Sequence, residues 1–309
     1  MEKTSPSIRV GPSGWDHPDW NGVVFPRAKA RKFHPLELLA CYFDTVEISS
    51  TFLAPVRPEI SRLWLAKVSH NPNFRFTACL GRRFTHERVL APSEVGAFKD
   101  GLWPVLQAGR FGQLVLQFPW SFRFTEENRE FLIRLRRSFH EFPMAVELRH
   151  ASWMADEALG TLIDYRLGFV NIDQPPYVRA MPPTSFVTAP FGSIRLHGRN
   201  PRFWRDEFES GESVGTPGDF LYSPAELEEW KARIEHVAEY AATTYVVATN
   251  SSGGRSVVNA LQLQSLLGAE RRDAPAGLLC RYRQELAGYR PGRAGQRRLF
   301  DGMNRRAVA

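Results

Sequence analysis

The chain has 309 residues, 43% of them hydrophobic and 24% charged, with a net charge of +7. That length allows one large domain or two ordinary ones, and the balance is ordinary for a soluble globular protein. No apolar run approaches bilayer length, and the N-terminal MEKTSPSIRV lacks the apolar core of a signal peptide. Three scattered cysteines (Cys41, Cys79, Cys280) give neither a disulfide framework nor a metal-ligand spacing, so a membrane span and a secreted disulfide scaffold are excluded and the expected location is the cytoplasm.

In chain order, the hydrophobic pattern predicts strands alternating with helices. Ile8 to Trp15 reads as a strand ending in Ser13-Gly14-Trp15, and residues 33–42 have helical spacing. Thr45 to Phe52 is a strand with Thr45, Glu47 and Ser49 on one face, and a helix begins at Pro58. Phe74 to Cys79 is the third strand, followed by a long loop holding Arg82, Arg83, Thr85, His86 and Arg88, and Ser93 opens the next helix. Gln113 to Phe118 is the fourth strand. Thr125 caps a helix to about Phe139, and Met144 to Leu148 is a short buried strand, the fifth. A helix over 156–165 leads to the sixth strand, Gly168 to Asp173. A proline-rich crossover over 174–190 with no clear helix leads to the seventh, Ser193 to His197. The polar stretch 198–221 is too long for an ordinary loop and reads as a lid or substrate loop. Ser223 and Pro224 start a strong helix, Thr244 to Asn250 is the eighth strand, and Gly268 ends a closing helix over 256–267.

Eight strands alternating with helices over about 260 residues fit a parallel eight-stranded (β/α)8 TIM barrel with an irregular crossover between the sixth and seventh strands. A doubly wound sheet is the alternative, but no glycine-rich dinucleotide fingerprint follows the first strand. The barrel is expected to occupy residues 1–268 and a basic, partly flexible tail residues 269–309. From Glu270 onward ten arginines face four acids, a net +6, which leaves +1 for the rest of the chain. A basic tail on a near-neutral body suggests contact with a polyanion.

Period-two alternation places an unusual set of polar side chains on the inner face of these strands, near their C-terminal ends. They are Glu47, Gln117, Glu147 with Arg149, Asn171 with Asp173, Arg195 with His197, and Asn250. Barrel interiors are usually packed with branched apolar residues, so this many buried polar groups must form a network or line a solvated pocket. Glu47, Glu147, Asp173 and His197 are the candidate catalytic residues, as general acids and bases; the same donors could instead hold a divalent metal, although no tight metal spacing is present. Arg149 and Arg195 suit an anionic group, and Gln117, Asn250 and Trp15 complete the candidate binding residues. Trp20, Trp120, Trp153 and Trp204 also follow strands or fall in loops, where aromatics either stack on a ligand or anchor the loop.

Several stretches resemble the YecE-like family, the domain of unknown function 72. They are Ser13-Gly14-Trp15 with Trp20, the run from Phe43 to Phe52, Thr85-His86, Gln117-Phe118-Pro119 with Ser121-Phe122, Val146 to His150 with Ser152-Trp153, and Arg195 to Arg199. Asn250, Gly254 and Asn259-Ala260-Leu261 complete the set. The pieces occur in the family's order over about residues 8–268. The resemblance implies a TIM barrel akin to the endonuclease-IV and xylose-isomerase barrels, and no secure reaction. It also implies paired asparagines at the end of the last strand, where this chain has Thr249 followed by Asn250.

The function expected from these residues is an enzyme acting on a phosphate-bearing substrate, with a nucleic-acid phosphodiester as the favoured class. A non-catalytic nucleic-acid-binding protein and a sugar-phosphate isomerase or lyase are the alternatives. In the tail, Gln296, Leu299 and Phe300 form a Q-x-x-L-F pattern that resembles the peptide with which bacterial DNA-processing proteins dock on the replication sliding clamp, the expected protein partner.

Overall fold

The computed structural model describes residues 7–200, 219–270 and 272–292. Short apolar runs bounded by turn residues become eight strands: β1 (Ser7–Pro12), β2 (Thr45–Ile48), β3 (Arg75–Cys79), β4 (Phe111–Gln117), β5 (Met144–Glu147), β6 (Gly168–Asp173), β7 (Phe191–Leu196) and β8 (Thr243–Ala248). All pair in parallel, in the order β1-β8-β7-β6-β5-β4-β3-β2. The remaining seam, between β1 and β2, closes through a parallel bridge from Ser13 to Glu47 and a 2.8 Å hydrogen bond from the Gly14 amide to the Glu47 carbonyl. A Cβ on Gly11 would lie 1.9 Å from the Thr45 carbonyl oxygen, so only glycine lets the two backbones meet there. The result is a nearly closed (β/α)8 barrel, and the irregular crossover between β6 and β7 carries no helix.

The outer layer consists of α1 (Pro35–Leu39), α2 (Pro58–Lys67), α3 (Arg82–Thr85), α4 (Pro92–Gln107), α5 (Glu126–Ser138), α6 (Asp156–Asp164), α7 (Pro224–Tyr240) and α8 (Arg255–Leu266). Local chemistry sets their starts. The Thr125 hydroxyl accepts the Asn128 amide at α5, and Ser223 with Glu226 forms a full capping box at α7. At α4 the start differs from the expectation at Ser93: Pro92, with its fixed φ and no amide hydrogen to satisfy, fills the first helical position. Residues 82–85, expected in a loop, form the single turn of α3. No helix among the described residues is long and apolar enough to cross a membrane.

The basic C-terminal segment begins with built structure. Two-residue strands β9 (Asp273–Ala274) and β10 (Arg290–Pro291) pair in parallel around α9 (Ala276–Arg281). Leu278, Tyr282 and Leu286 are buried, and the Tyr282 and Tyr289 hydroxyls donate to the carbonyls of Gly253 and Leu261, each at 2.8 Å.

Aromatic packing fixes the loops at the C-terminal ends of the strands. Phe118 and Phe122 stack at 3.9 Å, Trp153 stacks on Phe122 at 5.3 Å, and the Trp153 indole donates to the Phe122 carbonyl at 2.7 Å. The Ser152 hydroxyl accepts the Phe124 amide at 2.8 Å and so ties the loop after β4 to the loop after β5. Trp20 is buried as well, its indole donating to the Ser251 carbonyl at 2.6 Å. Trp20 and Trp153 are therefore loop anchors.

Candidate active site at the barrel mouth

Three strands deliver one buried ionic cluster. Glu47 stands at the end of β2, Glu147 at the end of β5 and Arg195 near the end of β7, while His197 follows β7 directly. All four are buried, Glu47 and Glu147 completely. The Arg195 guanidinium lies between the carboxylates: Nη2 donates to Glu47 Oε1 at 2.8 Å, and Nη1 donates to Glu147 Oε2 and to Gln117 Oε1, the latter at 3.1 Å. Arg149 donates to Glu147 Oε1 through Nε and Nη2, each at 3.0 Å. The Ser13 hydroxyl donates to Glu47 Oε1 at 2.7 Å, across the β1–β2 seam. Two carboxylates and two guanidiniums leave the cluster neutral, which is what full burial of this many charges requires.

Burial raises the Glu147 carboxyl, but Arg195, His197 and Arg149 together outweigh it and hold the group well below the ordinary carboxylate range. His197 moves the other way. Burial pushes its imidazole below the usual value despite the attraction of Glu147, so it is neutral. Its Nε2 lies 3.1 Å from Glu147 Oε2 and its Nδ1 2.8 Å from the Thr249 hydroxyl. A neutral ring facing a carboxylate carries its proton on Nε2, which leaves Nδ1 to accept from the Thr249 hydroxyl, a donor it shares with the Leu196 carbonyl at 3.1 Å. Cys79 is the nearest thiol, its sulfur accepting from Arg195 Nη2 at 3.8 Å. Burial, together with Glu47, raises its pKa far above normal, so it is not a thiolate nucleophile.

One acceptor in the cluster is left over. Among the described residues Glu47 Oε2 is buried with no hydrogen-bond partner, while Oε1 is fixed by Arg195 and Ser13. A carboxylate held through one oxygen with the other free is positioned to accept a proton.

The structure brings Glu47, Gln117, Glu147, Arg149, Arg195 and His197 together and leaves three of the expected site residues elsewhere. Asp173 takes both bonds from Arg199 Nε, at 2.9 and 3.0 Å, and one from the Tyr222 hydroxyl; Arg199 in turn reaches Glu226 and Glu229 at the start of α7. Burial raises the Asp173 carboxyl, with Tyr222 and Arg199 opposing. The inner face of β6 therefore belongs to the other parity. Asn171 confirms this by bonding the crossover at the Phe186 amide and carbonyl, at 2.7 and 3.0 Å. Asn250 donates to the Phe220 carbonyl and to Asn259 Oδ1, both at 2.8 Å, and so organises the loop before α7 against α8. Trp15 packs edge-on against Trp64 of α2 at 5.2 Å and is a loop anchor.

Sequence reasoning missed Ser13, Cys79 and Thr249 as members of the cluster. Alternation along β3 would have found Cys79, two residues from Thr77. Thr249 was hidden because it is the first residue beyond β8, where the pleat no longer decides direction.

A second set of groups surrounds the mouth, all from loops after strand C-terminal ends. Ser152 donates its amide to His150 Nδ1 at 3.1 Å, so the proton of this neutral ring sits on Nε2, which is buried without a partner. Burial lowers the His150 pKa, and Arg123 and Arg179 lower it further. Neither arginine forms an ion pair among the described residues; Arg123 lies over the Trp120 ring at 5.3 Å. His86 likewise has a buried, unpartnered Nε2, and burial with the nearby Arg149 pushes its pKa down to about 4.

A divalent cation does not fit the cluster. Arg195 occupies the position between the carboxylates that the ion would take, and among the described residues no three His, Cys, Asp or Glu groups converge as a ligand set. The expected lid loop over 198–221, with Trp204, and the Gln296, Leu299 and Phe300 segment fall largely or wholly outside the described residues.

A family model described as "Protein of unknown function DUF72" matches residues 9–280. The UPF0759 protein YunF of Bacillus subtilis is 24% identical over 274 residues, covering 85% of this chain and 95% of YunF. A solved DUF72 family protein from Thermotoga maritima is 29% identical with a TM-score of 0.71, covering 84% of this chain and 99% of that one. Another, from Enterococcus faecalis, is 23% identical with a TM-score of 0.71 over 84% of this chain and 95% of its own, a likeness of fold.

Proposed function

The chain belongs to the DUF72 family, and from that premise and the geometry of its barrel mouth we propose that it is an enzyme performing general acid–base chemistry on a phosphate-bearing substrate, with nucleic-acid phosphodiesters as the substrate class. The observation that carries the reading is the free, buried Oε2 of Glu47, oriented through its other oxygen by Arg195 and Ser13 on the face where barrel enzymes keep their chemistry. In this reading Glu47 takes a proton from the attacking water as the oxygen–phosphorus bond forms. The opposite phosphorus–oxygen bond breaks, and the leaving oxygen takes its proton from water at the mouth. Glu147, Arg149, Arg195 and His197 hold Glu47 in place and keep the cluster neutral. Arg123, Arg179 and the Nε2–H of His150 supply cations and a donor for phosphate oxygens, with Trp120 beside them for stacking. Substrate reaches Glu47 only where the mouth loops part, because the carboxylate is fully buried.

The same burial favours a second reading: the cluster is the barrel's internal stay, and the basic rim binds nucleic acid without turnover. Clamp docking through Gln296, Leu299 and Phe300 belongs to either reading. Glu47→Gln separates them. Turnover screened on phosphodiester and phosphomonoester substrates is expected to fall by about 100-fold or more on losing a general base, with nucleic-acid affinity unchanged. Wild-type turnover in Glu47→Gln removes the base, and no turnover by either protein with salt-dependent binding by both selects the second reading.

A further inference from the structure

The opposite pole of the barrel carries a cluster of three arginines that form no ion pair among the described residues. Arg9 lies in β1, Arg75 begins β3 and Arg110 precedes β4, so all three stand at the N-terminal ends of strands. Each points its Nη1 at the carbonyls of the loop over 71–74. Arg75 reaches the Phe74 and Asn73 oxygens at 3.0 and 3.3 Å, Arg110 the Asn71 and Phe74 oxygens at 3.0 and 3.2 Å, and Arg9 shares the Asn73 oxygen. Arg110 also bonds the Pro72 carbonyl. The carbonyls are dipoles and cancel no net charge. Among the described residues none of the three arginines is in an ion pair. Asp44 and Asp273 line the same cavity as Arg9 without pairing with it, and Asp44 accepts from the Asn71 side chain at 2.8 Å.

The donors are half used. Only Nη1 of each guanidinium is engaged among the described residues, which leaves the Nε and Nη2 nitrogens without protein acceptors. That edge is the fork that binds a phosphate or sulfate through two parallel bonds. On Arg9 the Nε is already buried and unpartnered. Tyr245 of β8 adds a hydroxyl. Its ring lies where a side chain on Gly112 would stand, a Cβ there coming within 2.8 Å of the hydroxyl oxygen. Arg9 and Arg75 both act on the Tyr245 phenol and oppose the rise that burial causes, and burial with the two other arginines lowers the pKa of Arg110. Three mutually repelling cations with free forks gain most from a doubly charged oxyanion.

We infer that the N-terminal opening of the barrel is an anion site for a phosphate-class dianion, bound by Arg9, Arg75 and Arg110 with the Tyr245 hydroxyl, at the pole opposite the candidate active site. The shared chemistry is a free phosphate or the terminal phosphate of a phosphomonoester.

Calorimetric titration of the full chain with inorganic phosphate, at constant ionic strength against chloride, tests it. Saturable binding is expected, weakened at least about tenfold by Arg75→Gln or Arg110→Gln, each of which removes charge-assisted bonds. Arg137→Gln, on the exposed face of α5, is expected to leave it unchanged. Should the glutamine variants fail to fold, Arg75→Lys and Arg110→Lys keep the charge and lose the fork, and weakening by both is still expected. Methyl phosphate identifies the source: tighter binding than inorganic phosphate points to a phosphomonoester, equal binding to phosphate itself, and either supports the site. A response no stronger than chloride overturns the inference. So does phosphate affinity that survives the Arg75 and Arg110 changes but vanishes with Arg179→Gln at the mouth.

Discussion

Glu147→Gln is the perturbation whose outcome the structure fixes most closely. Glu147 receives Arg149 on one oxygen and Arg195 with His197 on the other, all buried. The cluster is neutral with Glu47 and Glu147 against two arginines, so the isosteric amide keeps the shape and leaves one uncompensated buried positive charge. Breaking a buried pair from one side costs about 3–5 kcal/mol. Against a total stability of about 5–15 kcal/mol the barrel still folds, and at about 2–4 °C per kcal/mol the melting temperature drops by on the order of 10 °C. Activity is expected to disappear with the charge, because Arg195 then loses one of the two carboxylates that hold it against Glu47. Thermal circular dichroism reads the stability. A second change, Arg149→Met, restores neutrality and is expected to recover more than half of the loss. The pH dependence has a definite sign. The Glu147 carboxyl is depressed in the fold, so its stabilisation is present above the unfolded carboxyl pKa of about 4.3 and is lost as pH falls through the lower folded value. Wild type should lose melting temperature steeply below that pH, and the variant less so. A melting temperature within about 2 °C of wild type, or a double variant worse than the sum of the singles, would refute the account of the cluster as a charge-balanced unit.

Gly11→Ala places a methyl 1.9 Å from the Thr45 carbonyl and should open the β1–β2 seam, with loss of several kcal/mol in urea unfolding; an unchanged midpoint would show that the seam can spread freely. Thr249→Val removes the donor to His197 Nδ1 and is expected to lose about 1–3 kcal/mol, whereas Thr249→Asn supplies an amide donor at the same place and should stay within about 1 kcal/mol of wild type. The His86 imidazole should titrate near pH 4 by NMR, staying neutral from pH 6 to 8, and an ordinary value would mean that the ring is solvated rather than buried beside Arg149. A peptide of residues 290–305 should bind the sliding clamp through Leu299 and Phe300; equal binding by the Leu299→Ala, Phe300→Ala peptide, or none by either, removes the clamp from the proposal.

The barrel was legible because its signals are local and repeated. Each strand is a short apolar run, helices α2, α4, α5 and α7 each open with a cap or a proline that the sequence displays, and the strand order follows once parallel pairing through right-handed crossovers is accepted. Thr125 and Ser223 are caps that could be named in advance and are found capping. The closure of the seam was not legible. It depends on Gly11 meeting the Thr45 backbone and on the Ser13–Glu47 bridge, contacts between residues 34 apart that no window along the chain contains.

The site divides along the same line. Alternation found Glu47, Gln117, Glu147 and Arg195 because each lies within or at the end of a regular strand, where side-chain direction is set by the pleat. It failed at Asp173 and Asn250 for different reasons. On β6 the parity itself was taken the wrong way. Asn171 and Asp173 are polar, and polarity was read as facing the mouth, but both satisfy the crossover and the start of α7, where buried backbone groups need partners as much as a substrate does. After β8 the backbone has left the strand, so Asn250 turns toward Asn259 while Thr249 takes the place beside His197. Glu147 sets the proton of His197 on Nε2, and the residue at 249 then meets Nδ1 with a donor, which a threonine hydroxyl supplies and an asparagine amide would also supply. Threonine at 249 is therefore compatible with the tautomer on which the Glu147–His197 contact depends.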